Sequence, residues 1–566
     1  MLARGPLVDL KALLAAAREE YGDRIAFCEL VRGVSVSYSY VRLFDDVNAL
    51  GAALISLGLQ GKHIALIGEN SYNWIVAYLS VICGCGVIVP LDKELTKNGL
   101  GHLVKKSDAE AVICSKAFGD AMRALMSENS AVANIVIMGE TDESDSIHSM
   151  DRLIELGKKL IQSGDCAFSD SVINPLESAA ILFTSGTTGA NKGVMLSHQN
   201  ICSNINSLAQ VIPDEPNSFS VLPMNHSFEF NCHVLPGIYG GITICINPNL
   251  KHLADNMRFF KPAMSVVVPL FIDEIYANIW SEARRQKREK VLRRAVALSN
   301  ILRLFGIDLR EKLFKKIKEG LGGELRLLIC GGAPIGMRAA VGLSDFGIRI
   351  MNGYGITECS PLVTLNPKIH RKVDSVGIPM PGIEVKIDAP DGKGVGEILV
   401  RGKNVMIGYY NDEYSNSVSF EGEWFKTGDY GKQSLTGALF VVGRKKNLIV
   451  LDNGKNVHPE EIESLILSQL SYVKDIVVHE AERISSGRMQ RSVAAVIGID
   501  PKSEMSRVQK EERDFLVAED IKRVNKQLPS YKRICMIKVS TEQFEKTTTL
   551  KVVRQSVIGN DKYAPL

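Results

Sequence analysis

Leu182-Phe183-Thr184-Ser185-Gly186-Thr187-Thr188-Gly189-Ala190-Asn191-Lys192-Gly193-Val194 is the segment from which this chain is best read. The apolar run Ala179 to Phe183 predicts a buried strand that feeds a loop of hydroxyls and glycines. Val194-Met195-Leu196 leads out of the loop to Ser197-His198-Gln199-Asn200, a helix start. Gly186, Gly189 and Gly193 let the backbone turn tightly and aim its N–H groups at one spot. Thr184, Ser185, Thr187 and Thr188 add hydroxyl donors, and Lys192 adds charge. Such a loop suits a polyphosphate. It is not a Walker P-loop, because Asn191-Lys192-Gly193 stands where that pattern needs Gly-Lys-Ser/Thr. The competing reading is a solvated Gly/Thr turn.

Working outward, strand and helix patterns alternate before the loop. Leu7 to Tyr21 reads as an amphipathic helix, Val34 to Tyr40 as a strand, Tyr40 to Leu57 as a helix and Lys62 to Ile67 as a strand. Ala111–Cys114 and Asn134–Met138 are further short buried strands, and Glu140 to Ser146 is an exposed acidic loop. This alternation implies α/β layers with parallel pairing. Asn70 to Leu91 holds no charged residue and approaches the length of a membrane span. Gly84-Cys85-Gly86 interrupts it and Val87 to Pro90 is β-rich, so we expect a buried helix over 73–83 and then a buried strand.

With 566 residues the chain exceeds one core. A formal net charge of +3 argues for neither nucleic acid nor an acidic partner. Eleven cysteines without paired CxxC spacing read as small core residues in a reducing compartment, not as a zinc site. No signal-peptide pattern opens the sequence, so a cytoplasmic location is expected. Arg284 to Arg294 carries seven basic residues against one acid, and Arg310 to Lys318 adds five more. These stretches read as a solvated helical face or as a peripheral membrane contact.

The glycine loop resembles the phosphate-loop signature of the adenylate-forming superfamily, which includes acyl-CoA synthetases, peptide-synthetase adenylation domains and luciferases. Later motifs follow in the order that this resemblance requires. Leu327 to Cys330 is a strand ending in Gly331-Gly332-Ala333-Pro334, used in the family against adenine. Met351-Asn352-Gly353-Tyr354-Gly355-Ile356-Thr357-Glu358 follows. Flanking glycines would free the Tyr354 ring to lie on the base; Thr357 would donate to phosphate and Glu358 would hold Mg²⁺. Asp429, in Trp424-Phe425-Lys426-Thr427-Gly428-Asp429, would accept from both ribose hydroxyls. Arg444 matches the arginine that contacts the ribose, and Lys446 the hinge position. Gly454 and Lys455, in the turn before Pro459, lie by resemblance along the coenzyme A path. Lys551 sits at the catalytic lysine position, although Glu545 and Leu550 replace the usual proline and glycine of that loop.

Ser220 to Glu229 offers His226 at a loop edge, where the family places a histidine–aromatic segment beside the acyl pocket; a packed core histidine is the alternative. Val266 to Tyr276 resembles fatty acyl-CoA synthetases and suggests medium to long acyl chains. The His226-Ser227-Phe228 region lacks the aspartate that holds an α-ammonium in amino-acid adenylation domains. The fold implied is α/β: a large N-terminal domain (1–443) of two helix-flanked β-sheets plus a small β-barrel, then a small α+β C-terminal domain (444–566) on a hinge. The implied chemistry is ATP-dependent activation of a carboxylic acid, with Mg²⁺, followed by transfer to coenzyme A. An acyl carrier protein acceptor and a non-catalytic adenylate-binding paralogue are the alternatives.

Overall fold

The computed structural model describes residues 5–128, 131–139, 141–184, 191–248, 252–367, 375–452, 455–485, 488–547, 551–559 and 563–566. The expected elements form. Ser178–Thr184 is a strand, and its partner Lys192–Ser197 runs into the His198–Leu208 helix. Ser197 caps that helix in a reciprocal box with Asn200, which satisfies two otherwise orphaned N–H groups.

Two large sheets of nine and eight strands make up most of the chain. The nine-stranded sheet is parallel through its middle, where Leu327–Cys330 lies between Met264–Val267 and Arg349–Gly355. In the eight-stranded sheet, Val87–Pro90 joins the parallel strands to the Ser178–Thr184 hairpin. One hydrophobic cluster holds side chains of both sheets with those of the Tyr40–Ser56, Tyr72–Ser80 and His198–Leu208 helices. This explains the uncharged Asn70–Leu91 segment. Tyr72–Ser80 buries every residue but Asn73, then a π turn over Val81–Cys85 leads to the Val87–Pro90 strand. Among the described residues, no helix is long and apolar enough to cross a membrane.

The expected small barrel takes the form of a five-stranded antiparallel sheet with an open ladder. Trp424–Gln433 pairs Gly396–Gly402 along one edge. Its other edge is shared, with Phe420–Glu421 on the first half and Leu439–Arg444 on the second. Beyond Arg444, the Pro459–Gln469 and Lys510–Asn525 helices pack on a four-stranded sheet with its own hydrophobic cluster.

Candidate active site

The Thr184–Lys192 pair closes the mouth of the glycine hairpin, and the Thr184 hydroxyl lies 3.5 Å from the Lys192 carbonyl. Ser185, Gly186, Thr187, Thr188 and Gly189 lie outside the described residues. The Lys192 ammonium sits 4.6 Å from the centre of the Tyr409 ring, a cation–π contact. Tyr409 in turn donates its hydroxyl to Glu358 Oε1 at 3.0 Å. Gly408 and Tyr409 pair with Met195 and Val194, so the hairpin's own edge carries the tyrosine that joins Lys192 to Glu358.

Glu358 is set by a buried polar scaffold. Asn204 donates to the Cys359 carbonyl at 2.9 Å, and Asn404 donates to the carbonyls of Cys359 at 3.1 Å and Leu362 at 3.3 Å. Ser360, held at φ 69°, donates to the Asn404 carbonyl, and Met406 N–H donates to the Glu358 carbonyl. Each link satisfies a backbone group that burial would otherwise penalise. Sequence reasoning missed Asn204 and Asn404: an asparagine among polar helix or loop neighbours reads as solvated. Among the described residues, no group of three or more His, Cys, Asp or Glu side chains could hold a metal ion. A lone carboxylate such as Glu358 fits Mg²⁺, which commonly takes one or two carboxylates and fills its shell with phosphate oxygens and waters.

Tyr354 differs from the expectation of a freely placed ring. It is buried, and its hydroxyl donates to Asp429 Oδ2 at 2.8 Å. The flanking glycines answer crowding instead: a Cβ on Gly355 would meet the Pro361 carbonyl oxygen at 2.2 Å, and one on Gly353 the Leu362 side chain at 2.9 Å. Asn352 is likewise buried in the Arg349–Gly355 strand. Asp429 faces Arg444 across the strand pair and forms an ion pair with it, Nε lying 2.9 Å from Oδ1. Burial pushes the Asp429 carboxyl up, against the pull of Arg444, Tyr354 and Lys551. Each of its oxygens thus has one protein partner, which leaves a carboxylate's remaining lone pairs unassigned.

Gly331 has no room for a Cβ, which would stand 2.9 Å from Phe228 Cζ, and Gly332 takes a left-handed φ of 84°. Gly332, Ala333 and Pro334 form an exposed shelf at the carboxyl edge of the parallel strands, where open α/β sheets bind ligands. Thr357 and Ser227 bring their hydroxyls to 3.5 Å, joining the Glu358 turn to the segment that starts at His226.

Lys551 arrives from the far end of the chain. Thr547 N–H donates to the Lys551 carbonyl at 2.8 Å, Val553 N–H donates to the Glu545 carbonyl at 2.9 Å, and Lys546 pairs with Asp475 at 2.8 Å. Thr548, Thr549 and Leu550 lie outside the described residues. The Lys551 ammonium feels Arg444, Asp429 and Glu358; crowding by protein, then Arg444, bring its pKa down to about 8 against the two carboxylates. Water still reaches the residue. Burial, reinforced by Lys551, also pushes His226 down against Asp92, which favours the neutral imidazole at pH 7. Lys455 stands apart, with its ammonium 4.7 Å from the Tyr531 ring centre, and Gly454 lies outside the described residues.

The arrangement can therefore gather anionic groups between Lys192 and Lys551, beside a carboxylate that suits a hard cation and another that suits a diol. Comparison with known proteins shows the family. The family described as AMP-binding enzyme matches residues 14–410, and the AMP-binding enzyme C-terminal domain matches 446–564. The chain belongs to the AMP-binding enzyme family. It is 26% identical over 501 residues to the long-chain-fatty-acid–CoA ligase FadD15 of Mycobacterium tuberculosis, covering 85% of this chain and 80% of that one. It is 26% identical over 576 residues to the chloroplastic long-chain-fatty-acid–[acyl-carrier-protein] ligase AEE15 of Arabidopsis thaliana, covering 88% and 77%. In fold it is similar to ATP-bound MatB from Rhodopseudomonas palustris, with a TM-score of 0.74 at 23% identity over 96% of this chain and 98% of that one.

Proposed function

We propose that this enzyme activates a long-chain fatty acid with ATP, releases pyrophosphate, and passes the acyl group from acyl-AMP to the thiol of coenzyme A. The observation that carries this reading is the convergence of Lys551 with Asp429, Arg444 and Glu358 beside the Lys192 hairpin. The names of its relatives support the substrate class.

In the first step two anions must meet, so the protein's task is positioning and charge neutralisation. Lys551 bridges the carboxylate and the α-phosphate, while Thr184, Ser185, Gly186, Thr187, Thr188, Gly189 and Lys192 hold the leaving phosphates. Asp429 and Arg444 orient the ribose, and the Gly331–Pro334 shelf with Asn352, Gly353, Tyr354 and Gly355 borders the base. Thr357 donates to phosphate. His226 lies beside the acyl carboxylate. Mg²⁺, when bound at Glu358, supplies further neutralisation of phosphate charge.

The second step needs Lys551 withdrawn. We place the boundary at 443/444 and the hinge at Lys446. Lys445 pairs with Glu397 of the five-stranded sheet at 2.6 Å, while Asn447 donates to Glu460 of the Pro459–Gln469 helix at 2.6 Å. A pivot between these ties would present Gly454 and Lys455 to the thiol. An acyl carrier protein is the second acceptor to test, because one relative carries that acceptor in its name. A peripheral membrane contact belongs to the same reading.

The test is AMP release from ATP with carboxylic acids of graded length, with and without coenzyme A. Formation of AMP and acyl-CoA from long acids is expected. Pyrophosphate exchange without coenzyme A turnover would move the acceptor to the carrier protein. No AMP with any acid would leave an adenylate-binding paralogue.

A further inference from the structure

The Pro269–Arg285 helix begins at the cleft: Gly331 N–H donates to the Val267 carbonyl, and Val268 is the neighbour that a Cβ on Gly332 would meet. It runs 17 residues, about 25 Å, away from that edge. The Glu289–Leu304 helix then folds back onto it, with Leu292, Ala295 and Val296 turned to the core and Arg293 over the Trp280 ring. Among the described residues nothing covers the opposite face. Val291, Leu298, Ile301, Leu304 and Phe305 are 64, 52, 54, 83 and 76% exposed. With Arg294 they recur every three or four residues, which makes one helical stripe, and Lys287 precedes it in the turn between the two helices. Residues 284–318 hold thirteen Lys/Arg against three Asp/Glu in a chain of net charge +3. Among the described residues Lys287, Lys290 and Arg294 have no ion-pair partner, while Arg285, Arg293 and Arg310 do.

We propose that this face docks the enzyme on an anionic lipid bilayer, with the apolar stripe among the acyl chains and the basic collar at the lipid phosphates. Contiguous exposed apolar surface needs an occupant, and its charge selects which. A second copy would bring like charge against like charge, whereas an anionic membrane satisfies both the stripe and the collar. The inference rests on the fatty-acid reading for its purpose: a long acyl substrate partitions into lipid, and the docked helix is packed on one that starts at the cleft.

Co-sedimentation of the full chain with vesicles tests it. The wild type should pellet with mixed phosphatidylglycerol–phosphatidylcholine vesicles and bind pure phosphatidylcholine about tenfold more weakly. Leu304→Asp with Phe305→Asp, and separately Lys290→Glu with Arg294→Glu, should each lower binding about tenfold or more. Both variants should keep the wild-type Tm and the wild-type pyrophosphate exchange with a long-chain acid in vesicle-free buffer. Equal binding by wild type and variants, equal binding to neutral vesicles, or a stripe-dependent dimer in light scattering would overturn the proposal. Vesicle binding that follows these rules in a protein that activates no acid would keep the docking face and remove the ligase reading.

Discussion

Two regions, the Lys192 hairpin and the Lys551 loop, each hold a lysine to which the proposed function gives a phosphate, but they are anchored differently. Lys192 stands in a strand ladder of the eight-stranded sheet, its ammonium over Tyr409, which is itself pinned to Glu358. Glu358 is fixed in turn by Asn204 and Asn404 from the interior. Lys551 sits on a short loop tied to the C-terminal unit by a few backbone bonds and the Lys546–Asp475 pair. In the proposed reaction the first lysine is part of the floor of the site, and the second would be delivered to it. That difference suits a reaction whose two steps need different groups at one place.

Lys551→Ala should have the largest effect, raising the barrier to adenylation by about 3–4 kcal/mol as loss of a preorganised charge does, with little change in ATP binding. Pyrophosphate exchange at saturating ATP reads it; a mere rise in KM would make Lys551 a binding residue and erase the contrast.

Asn404→Ala tests the floor. It leaves the Leu362 carbonyl without its Asn404 donor and removes one of two donors to Cys359, so it should cost about 1–3 kcal/mol of stability. Thermal denaturation should show a lower Tm, and adenylation should need more Mg²⁺ for half-maximal rate. An unchanged Tm would mean that Glu358 is held without this scaffold.

How much of this contrast was legible beforehand depends on what each residue touches. The Ser197 cap and the Leu327–Cys330 strand could be read because capping and periodicity are local. The Tyr354 glycines were visible, but their cause was not: the crowding comes from Pro361 and Leu362, partners that only the folded chain supplies. Asn204 and Asn404 escaped for the same reason. The Tyr409–Glu358 link joins residues 51 positions apart, and local spacing cannot show it.

The pH dependence sharpens the delivered side. Lys551, brought down to about 8, must be protonated to bridge two anions, so adenylation should fall as pH rises through about 8. Lys551→Arg, which stays charged, should lose that alkaline fall. Persistence of the fall in the variant would assign it to another group. Tyr409→Phe should have the smallest effect, about 1–1.5 kcal/mol or roughly tenfold in adenylation, because it removes one hydrogen bond to Glu358 and keeps the ring under Lys192.

The most direct measurement takes the two half-reactions of Lys551→Ala apart, following pyrophosphate exchange in one assay and thioester formation from supplied acyl-adenylate and coenzyme A in the other. A delivered lysine predicts loss of the first by about two to three orders of magnitude and retention of the second. Equal loss of both would contradict it, because Lys551 would then be a fixed part of the site like Lys192.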